Sequence, residues 1–306
     1  MSIGSDQALK SPGVLLTGAS SQIGLFAIPR LISAGFRVLA VSRKGRPANF
    51  PELEQVDWLT EADAVKIAPD CLYLLSAGPM ELARNILKHG RTFKKVCVFS
   101  SSSVMSKKHS PNRAERTQIQ GMLKLESELK ELSQEQVFKL VIFRPTLIYG
   151  CGLDTNISRL ASWVRRFGVM PVNGPAAGLR QPVHADDLAS VAVTALLSTR
   201  NIPQVLTVAG GETLSYSDMV RRIFTAVDKP ARLLRLPEWL FLSLLMLAGV
   251  FKPGIGVNAE MVRRQRLDLV FDDQLARQCL DYRPRPFSPE KADFSIPAYS
   301  PEVESD

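Results

Sequence analysis

The chain has 306 residues, of which 45% are hydrophobic and 22% charged, an ordinary composition for a globular protein with a large core. Its formal net charge of +8 favours anionic ligands or surfaces. The basic residues are spread along the chain and form no concentrated tract with interleaved aromatics, so we expect no nucleic acid partner.

The first half of the chain alternates short apolar runs with amphipathic segments. After a polar leader at residues 1–12, the pattern predicts strands at 13–17, 36–41, 53–56, 71–76, 96–99 and 138–143, helices at 22–34, 80–89 and 117–132, and a loop at 105–116. Continuous apolar runs such as Cys71–Ser76 are typical of parallel strands buried on both faces. This alternation predicts an α/β fold with a doubly wound parallel sheet and ligands at the carboxyl ends of its strands.

The pattern changes after Gly150, which ends the predicted core domain of residues 13–150. Residues 151–287 read as a mixed segment that completes the sheet and forms a small substrate lobe. It contains helices at 157–167 and 215–227, a helix capped by Asp186 or Asp187 that runs through Leu197, and strands at 183–184 and 205–208. Residues 288–306 are rich in proline and acid, which predicts a flexible tail.

The cysteines and the amino-terminal residues indicate the cellular compartment of the protein. Cys71, Cys97, Cys151 and Cys279 show no CxxC spacing, so we expect buried thiols in a reducing compartment, with neither a disulfide framework nor a metal site. The first ten residues lack the apolar core of a signal peptide, so a cytoplasmic location is expected.

The stretch TGASSQIG at residues 17–24 is the strongest local motif. It joins an apolar strand to an amphipathic helix within a βαβ unit of about 30 residues. Its glycines allow a tight turn and a close approach of backbone to a pyrophosphate, which the helix N-terminus attracts. The alternative is a plain strand-to-helix turn.

TGASSQIG resembles the TGxxGxxG turn of the extended short-chain dehydrogenase/reductases, the NAD-dependent epimerase/dehydratase group, with Ser21 in place of the middle glycine. VDWL at 56–59, LVIFRPTLIYG at 140–150 and RQPVHADDLA at 180–189 are similar to further family segments, so the likeness covers roughly residues 13–287. It implies a Rossmann sheet. Because a serine adds a side chain and a hydroxyl beside the pyrophosphate, we expect the cofactor to sit in a shifted position or to bind more weakly.

The resemblance also implies which residues bind the dinucleotide. They lie in the first turn, at the ends of the second and fourth strands, in the segment that meets the adenine, and beside the nicotinamide: Gly18, Ser20, Ser21, Gln22, Ile23, Gly24, Ser42, Arg43, Asp57, Trp58, Ser76, Ala77, Gly78, Lys124 and Pro145. The second strand ends in Arg43 and Lys44 without the acidic residue that binds the ribose of NAD, which favours NADP over NAD. The alternative is a solvated basic loop.

Reductases of this family use a serine or threonine with a tyrosine and a lysine four residues apart. Ser102 matches the serine, and Lys124 matches the lysine in a segment similar to the family's SKLxxE. The tyrosine position then falls on Gln120, whose amide does not titrate. The protein therefore binds NADP without turnover, or uses another proton donor such as Ser102 or His109, or our register is wrong.

Two features concern the substrate and other partners. Arg180 and Arg264 match places where the family's enzymes grip the phosphates of a sugar nucleotide, which favours an anionic substrate. Residues 239–251 are almost wholly apolar but too short to span a bilayer. They form either a buried wall of the substrate lobe or a peripheral membrane contact. A homodimer is left open, and so is a non-catalytic role as a dinucleotide-binding sensor or assembly protein.

Overall fold

A computed structural model describes residues 12–48, 50–66, 71–89, 93–251 and 259–296. Its strands in chain order are β1 (Gly13–Thr17), β2 (Arg37–Ser42), β3 (Val56–Thr60), β4 (Cys71–Ser76), β5 (Lys95–Phe99), β6 (Lys139–Pro145), β7 (Ile148–Tyr149), β8 (Met170–Asn173), β9 (Leu179–Arg180), β10 (Val183–His184), β11 (Val205–Val208), β12 (Leu214–Ser215) and β13 (Leu233–Leu236).

The helices separate these strands. They are α1 (Gln22–Ser33), α2 (Glu61–Lys66), α3 (Met80–Lys88), α4 (Ser103–Ser106), α5 (Arg113–Glu135), α6 (Ile157–Phe167), α7 (Ala185–Leu197), α8 (Tyr216–Ala226), α9 (Glu238–Phe251), α10 (Ala259–Arg264) and α11 (Gln274–Leu280), with a short 3₁₀ helix at Lys291–Phe294.

Seven of the strands form one parallel sheet in the order β11-β6-β5-β4-β1-β2-β3, which confirms the doubly wound prediction. One apolar layer packs α1, α7 and α11 on one face, and a second packs α2, α3 and α5 on the other. The strand order reverses between β1 and β4, so the carboxyl ends of these two strands frame a crevice. Open α/β sheets bind ligands at such a switch point.

A smaller lobe follows the sheet in sequence and has its own core. It contains the parallel pair β8–β13, the antiparallel pair β9–β12, and the helices α6, α8, α9 and α10. Its largest fully buried side chains are Tyr149, Phe224 and Phe287. Residues 183–209 leave the lobe and return to the sheet, because β11 pairs with β6 and α7 packs against α1.

Two boundaries differ from the sequence prediction. The strand expected at 53–56 instead runs over Val56–Thr60, where it pairs with β2. The expected loop at 105–116 is shortened by α4 and by an early start of α5. The Asn112 side chain caps α5 by accepting hydrogen bonds from the backbone N–H groups of Ala114 and Glu115.

The cap of α7 and the tail also differ. Neither Asp186 nor Asp187 caps α7; His184 does so, with Nδ1 accepting from the Asp186 backbone N–H at 3.1 Å. The flexible tail does not begin at 288, because Phe294 is buried in the lobe core and Asp293 meets His184 Nε2 at 3.1 Å. An aromatic side chain within the acidic stretch supplies the apolar area that holds this segment. The residues after 296 lie outside the described part of the chain, as do residues 1–11 of the expected leader.

Candidate functional site

The turn after β1 lies directly against the turn after β4. Gly18 has a φ of +68°, and a Cβ at this position would lie 2.4 Å from the backbone N of Gly78. A Cβ on Gly24 would lie 2.3 Å from the carbonyl oxygen of Gly18. Since real contacts are never this short, only glycine allows α1, β1 and β4 to meet here. Close packing of the backbone therefore requires glycine at both Gly18 and Gly24.

The side chain of Ser21, the departure from the family pattern, turns into the protein. Its hydroxyl donates to the Ala77 carbonyl at 3.0 Å and accepts from the Gly24 backbone N–H at 3.2 Å. Ser21 is thus the N-cap of α1 and links the two turns. The hydroxyl is thus bonded within the protein, and the expected effect of Ser21 on cofactor binding stays a prediction.

Backbone donors remain at the start of α1. The N–H groups of Gln22 and Ile23 occupy the first two helical positions, which have no intrahelical acceptor. The Gln22 side-chain oxygen is buried and has no hydrogen-bond partner within the described residues. Ser20 is exposed beside them. Donors at a helix N-terminus suit an anion, so the turn fits a dinucleotide pyrophosphate.

Neighbouring strand ends are joined by short polar contacts. Thr17 Oγ1 donates to Ser76 Oγ at 2.9 Å, and the Ala77 N–H donates to the Thr17 carbonyl at 2.9 Å. Ser102 N–H donates to the Pro145 carbonyl at 2.9 Å, which ties β5 to β6. The structure therefore brings the ends of four predicted strands, β1, β4, β5 and β6, to one edge of the sheet.

Arg43 and Lys44 lie at the same edge, directly after β2. The Ala19 N–H donates to the Val41 carbonyl at 3.0 Å, which places the phosphate turn beside this strand end. Ser42 turns its hydroxyl to the Gly45 carbonyl. Both cationic side chains are exposed, and neither makes an ion pair with any residue that the structure describes. They are available to an anionic group next to the turn.

Asp57 does not lie where the resemblance placed it. It is the second residue of β3, three positions before the carboxyl end, and its carboxylate pairs with Arg37 at 2.7 Å. This hydrogen bond raises the pKa of Arg37. Arg37 is the first residue of β2, so the pair lies toward the opposite edge from the cofactor turn. Trp58 packs edge-on against Phe50, and its buried Nε1 has no partner in the described part of the chain.

The three predicted reaction residues lie on α5 and at the start of α4, which packs against α5. Ser102 is 7% exposed and has no hydrogen-bond partner for its hydroxyl within the described ranges. Gln120 and Lys124 are exposed and four residues apart on one helix, so they share a face. Among the described residues Lys124 makes one ion pair, a 4.0 Å contact with Glu128, and 77% of its side chain is exposed.

Glu126 is an important residue that the sequence reasoning missed. It is 2% exposed, forms a two-point ion pair with Arg144 of β6, and accepts from Ser100 Oγ at 2.6 Å. Ser100 directly follows β5. Glu126 therefore fixes α5, which carries Gln120 and Lys124, against the ends of two strands. Its signal was present: Glu126 falls within the apolar stripe that contains Leu125 and Leu129.

Arg180 is a buried structural residue in this structure. Its guanidinium donates to the carbonyls of Leu179 and Leu267 at 2.7 Å each, and to the carbonyl of Arg264. It also stacks over Tyr216, with 5.5 Å to the ring centroid. Burial lowers the pKa of Arg180 to about 10. Most of its donors are used by the fold, which argues against the expected grip on a substrate phosphate.

Arg264 is engaged by a carboxylate that the sequence reasoning did not consider. Its two terminal nitrogens donate to the two oxygens of Glu115 at 2.8 Å each. Ser110 Oγ donates to the same carboxylate at 2.6 Å, and Lys107 approaches it at 3.5 Å. The hydrogen bond from Arg264 is the main cause that lowers the pKa of Glu115 to about 2. This pair joins α5 to α10, so it connects the sheet domain with the smaller lobe.

Residues 239–251 form most of α9. Trp239 is 70% exposed and Met246 is 68% exposed. The segment is thus not wholly a buried wall. No helix in the described part of the chain combines the length and apolar character needed to cross a bilayer. None of the four cysteines is joined in a disulfide; three are buried and Cys279 is partly exposed. The described residues also contain no cluster of potential metal ligands.

Comparison with known proteins supports the resemblance. A model of the NAD dependent epimerase/dehydratase family matches residues 14–209. UDP-glucose 4-epimerase of Vibrio cholerae is 30% identical over 116 residues, which cover 38% of this chain and 35% of that enzyme. The chloroplastic divinyl chlorophyllide a 8-vinyl-reductase of Arabidopsis thaliana is 25% identical over 294 residues, covering 82% of this chain and 67% of that protein. The chain thus spans about a third of the first relative's length.

Solved structures show the same fold. UDP-glucuronic acid 4-epimerase from Bacillus cereus, in complex with UDP-glucuronic acid and NAD, superposes with a TM-score of 0.68. The match covers 92% of this chain and 98% of that one at 16% identity. The epimerase Mth375 from Methanothermobacter thermautotrophicus gives a TM-score of 0.69 at 14% identity, covering 94% and 91%.

Proposed function

Because the chain belongs to the NAD-dependent epimerase/dehydratase family, we propose that it is an NAD(P)-dependent enzyme that acts on a sugar nucleotide or a similar anionic compound. The observation that carries this proposal is the close contact between Gly18 and Gly78, with the donors of Gln22 and Ile23 beside it. This arrangement fits the pyrophosphate of a dinucleotide. When bound, the nicotinamide would supply hydride acceptance and donation.

The proposed reaction centre consists of Ser102, Gln120 and Lys124. Gln120 occupies the tyrosine position, and its amide can orient a substrate carbonyl or hydroxyl but cannot move a proton. Ser102 offers an uncommitted hydroxyl at the end of β5, and Lys124 offers an ammonium group on the same helix face as Gln120. Proton transfer would then depend on Ser102 or on His109, which is exposed on the short loop before α5.

A second candidate function rests on the same glutamine. Without a titratable group at position 120, the protein would bind the dinucleotide as a sensor or assembly partner and would not turn it over. The commitment of Arg180 to backbone carbonyls favours this alternative, because it leaves one fewer arginine for a substrate phosphate. A reducing, cytoplasmic location is proposed for either function, in keeping with the absence of disulfides among the four cysteines.

We also propose that the dinucleotide is NADP. Arg43 and Lys44 follow β2 with exposed cationic groups that make no ion pair with a described residue, and a guanidinium group can form two hydrogen bonds with a phosphate monoester. NAD would leave these cations without an anionic partner.

One experiment tests both functions. Mass spectrometry of the purified protein identifies any nucleotide that it carries and its oxidation state. Gln120→Tyr is then assayed for reduction of UDP-linked sugars and for turnover of NADPH. A large gain in activity would support an enzyme whose reaction centre is intact except for the missing tyrosine. Bound NADP with no gain in activity would favour the sensor function. Absence of any dinucleotide binding by the wild-type protein would refute both.

A further inference from the structure

One side of α9 presents apolar side chains to solvent. Trp239, Ser243 and Met246 lie four and three residues apart and therefore share one stripe of the helix. Leu244 beside them is 46% exposed, and Leu234 on β13, which leads into α9, is 51% exposed. We refer to Trp239, Ser243, Leu244, Met246 and Leu234 as the α9 face.

The hydroxyl of Ser243 on this face and the carboxylate of Glu238 beside it have hydrogen-bond partners within the protein. Ser243 Oγ donates to the Trp239 carbonyl at 2.9 Å, so the hydroxyl needs no water. Glu238 accepts from Asn173 at 3.3 Å and from Arg263 at 3.2 Å, and these hydrogen bonds hold the pKa of Glu238 below its usual range. The face can therefore leave water without stranding an unpaired polar group.

Basic side chains border the same face. Arg232 and Arg235 flank Leu234 on and next to β13, and Arg266 follows α10, which packs against α9. All three are exposed, and none makes an ion pair with a described residue. The only acidic residue of α9, Glu238, is neutralised by Arg263. Arg263 also pairs with Glu260, and the charge of Arg266 helps to lower the pKa of Glu238. Arg232 and Arg235 therefore give the border of the α9 face its net positive charge.

We propose that the α9 face binds the surface of an anionic lipid bilayer, with the helix lying parallel to the membrane. Apolar side chains, a tryptophan at one end and flanking arginines are the features of an interfacial helix. Fourteen residues give a length of about 21 Å, well short of the roughly 30 Å of a hydrocarbon core, so the helix rests on the bilayer and does not cross it.

The same charges disfavour a second copy of the chain as the occupant. A twofold interface is formed by the same patch on both subunits. Two α9 faces meeting this way would bring Arg232 and Arg235 toward their own copies, and neither arginine makes an ion pair with a described acid. Phospholipid headgroups of negative charge would instead pair with these cations.

The test is flotation of the purified protein with vesicles of phosphatidylcholine alone or mixed with phosphatidylglycerol. We expect the protein to float with the anionic vesicles and to remain behind with phosphatidylcholine. Trp239→Ser combined with Met246→Ser should lower the partition coefficient by about tenfold or more, because two large apolar side chains are lost. Arg235→Glu with Arg266→Glu should lower it to a similar degree and remove its dependence on salt.

Leu275→Ser is the matched control, since Leu275 is 53% exposed on α11, at the sheet domain. It should float like the wild-type protein, and circular dichroism should show all variants folded. Equal binding by the Trp239→Ser, Met246→Ser variant would overturn the proposal. The proposal would also be overturned if the wild-type protein floated with neither vesicle and light scattering showed a concentration-dependent dimer that the same variant no longer forms.

Discussion

Two cationic regions that the sequence assigned to ligand binding differ in whether their charges are already paired. At the edge formed by the ends of β1, β2 and β4, Arg43 and Lys44 are exposed and unpaired within the described structure, beside free helix donors. In the smaller lobe, Arg180 and Arg264 are held by carbonyl groups and by Glu115. An anion can bind the first region without competition. To bind the second, it must displace a carboxylate that already makes two hydrogen bonds with Arg264.

The largest effect is expected from Gly18→Ala. A Cβ here meets Gly78 at 2.4 Å, and the left-handed φ adds further strain. Together these should cost about 4 kcal/mol of unfolding free energy and abolish NADP binding. Urea unfolding measures the loss of stability, and calorimetric titration measures the affinity for NADP. Gly121→Ala, on the open surface of α5, is the control and should stabilise the protein by about 0.5–1 kcal/mol. Native affinity in Gly18→Ala would show that the close contact is not needed for the cofactor site.

Glu126→Ala tests whether the cofactor edge depends on a buried ion pair. Removing the carboxylate strands Arg144, whose side chain is only 18% exposed. We expect a loss of about 3 kcal/mol, the low end for broken buried pairs, since some water can reach Arg144. Chemical denaturation measures the change. The exposed Glu131→Ala on the same helix should stay within about 0.5 kcal/mol of wild type. Equal effects of the two variants would contradict the anchoring role of Glu126.

Glu115→Gln tests how strongly the ion pair with Arg264 stabilises the protein, because it removes the negative charge that pairs with Arg264. We expect a loss of about 2 kcal/mol at neutral pH, less than the full pKa shift implies since the pair is partly solvated. The carboxyl pKa falls from 4.5 to about 2 on folding, so its contribution is complete above pH 4.5 and fades as the pH falls toward 2. The stability difference between wild type and Glu115→Gln should shrink over that range.

The same variant reports on the substrate side. If Arg264 is an anion site masked by Glu115, Glu115→Gln should bind UDP more tightly than the wild-type protein. Glu260→Gln, which removes a partner of the neighbouring Arg263, is the matched control and should change neither UDP affinity nor stability by more than about 0.5 kcal/mol. Unchanged UDP affinity in Glu115→Gln would show that Arg264 has a purely structural role.

The smallest effect is expected from Arg43→Asp. Replacing the exposed cation should weaken NADP binding by about tenfold, or 1.4 kcal/mol, and improve NAD binding. Arg200→Asp makes the same charge change just before β11, at the opposite edge of the sheet, and should leave both affinities unchanged. If Arg43→Asp left the ratio of the two affinities unchanged, the preference for NADP would not depend on this residue.

The alternation of apolar runs predicted the sheet, and the placement of TGASSQIG predicted the crevice, because both depend on local sequence. Asp57 was expected beside the cofactor from the short segment VDWL, but so short a match does not fix where β3 begins and ends. Arg180 looked like a ligand residue because its bonding partners, Leu267 and Arg264, lie more than 80 positions away. The start of α5 could have been predicted, because Asn112 and Glu115 have the three-residue spacing typical of a helix N-terminus.

The buried contact of Phe294 with the smaller lobe has a consequence for synthesis on the ribosome. Strands β1 to β6 are complete once residue 145 has emerged, so most of the sheet can assemble early. The lobe core, in contrast, needs Phe287 and Phe294, and His184 needs Asp293. The core of the smaller lobe therefore cannot be completed until almost the last described residues have left the exit tunnel. During that interval the nascent chain exposes the unfinished core of the lobe, and chaperones would be expected to bind it there.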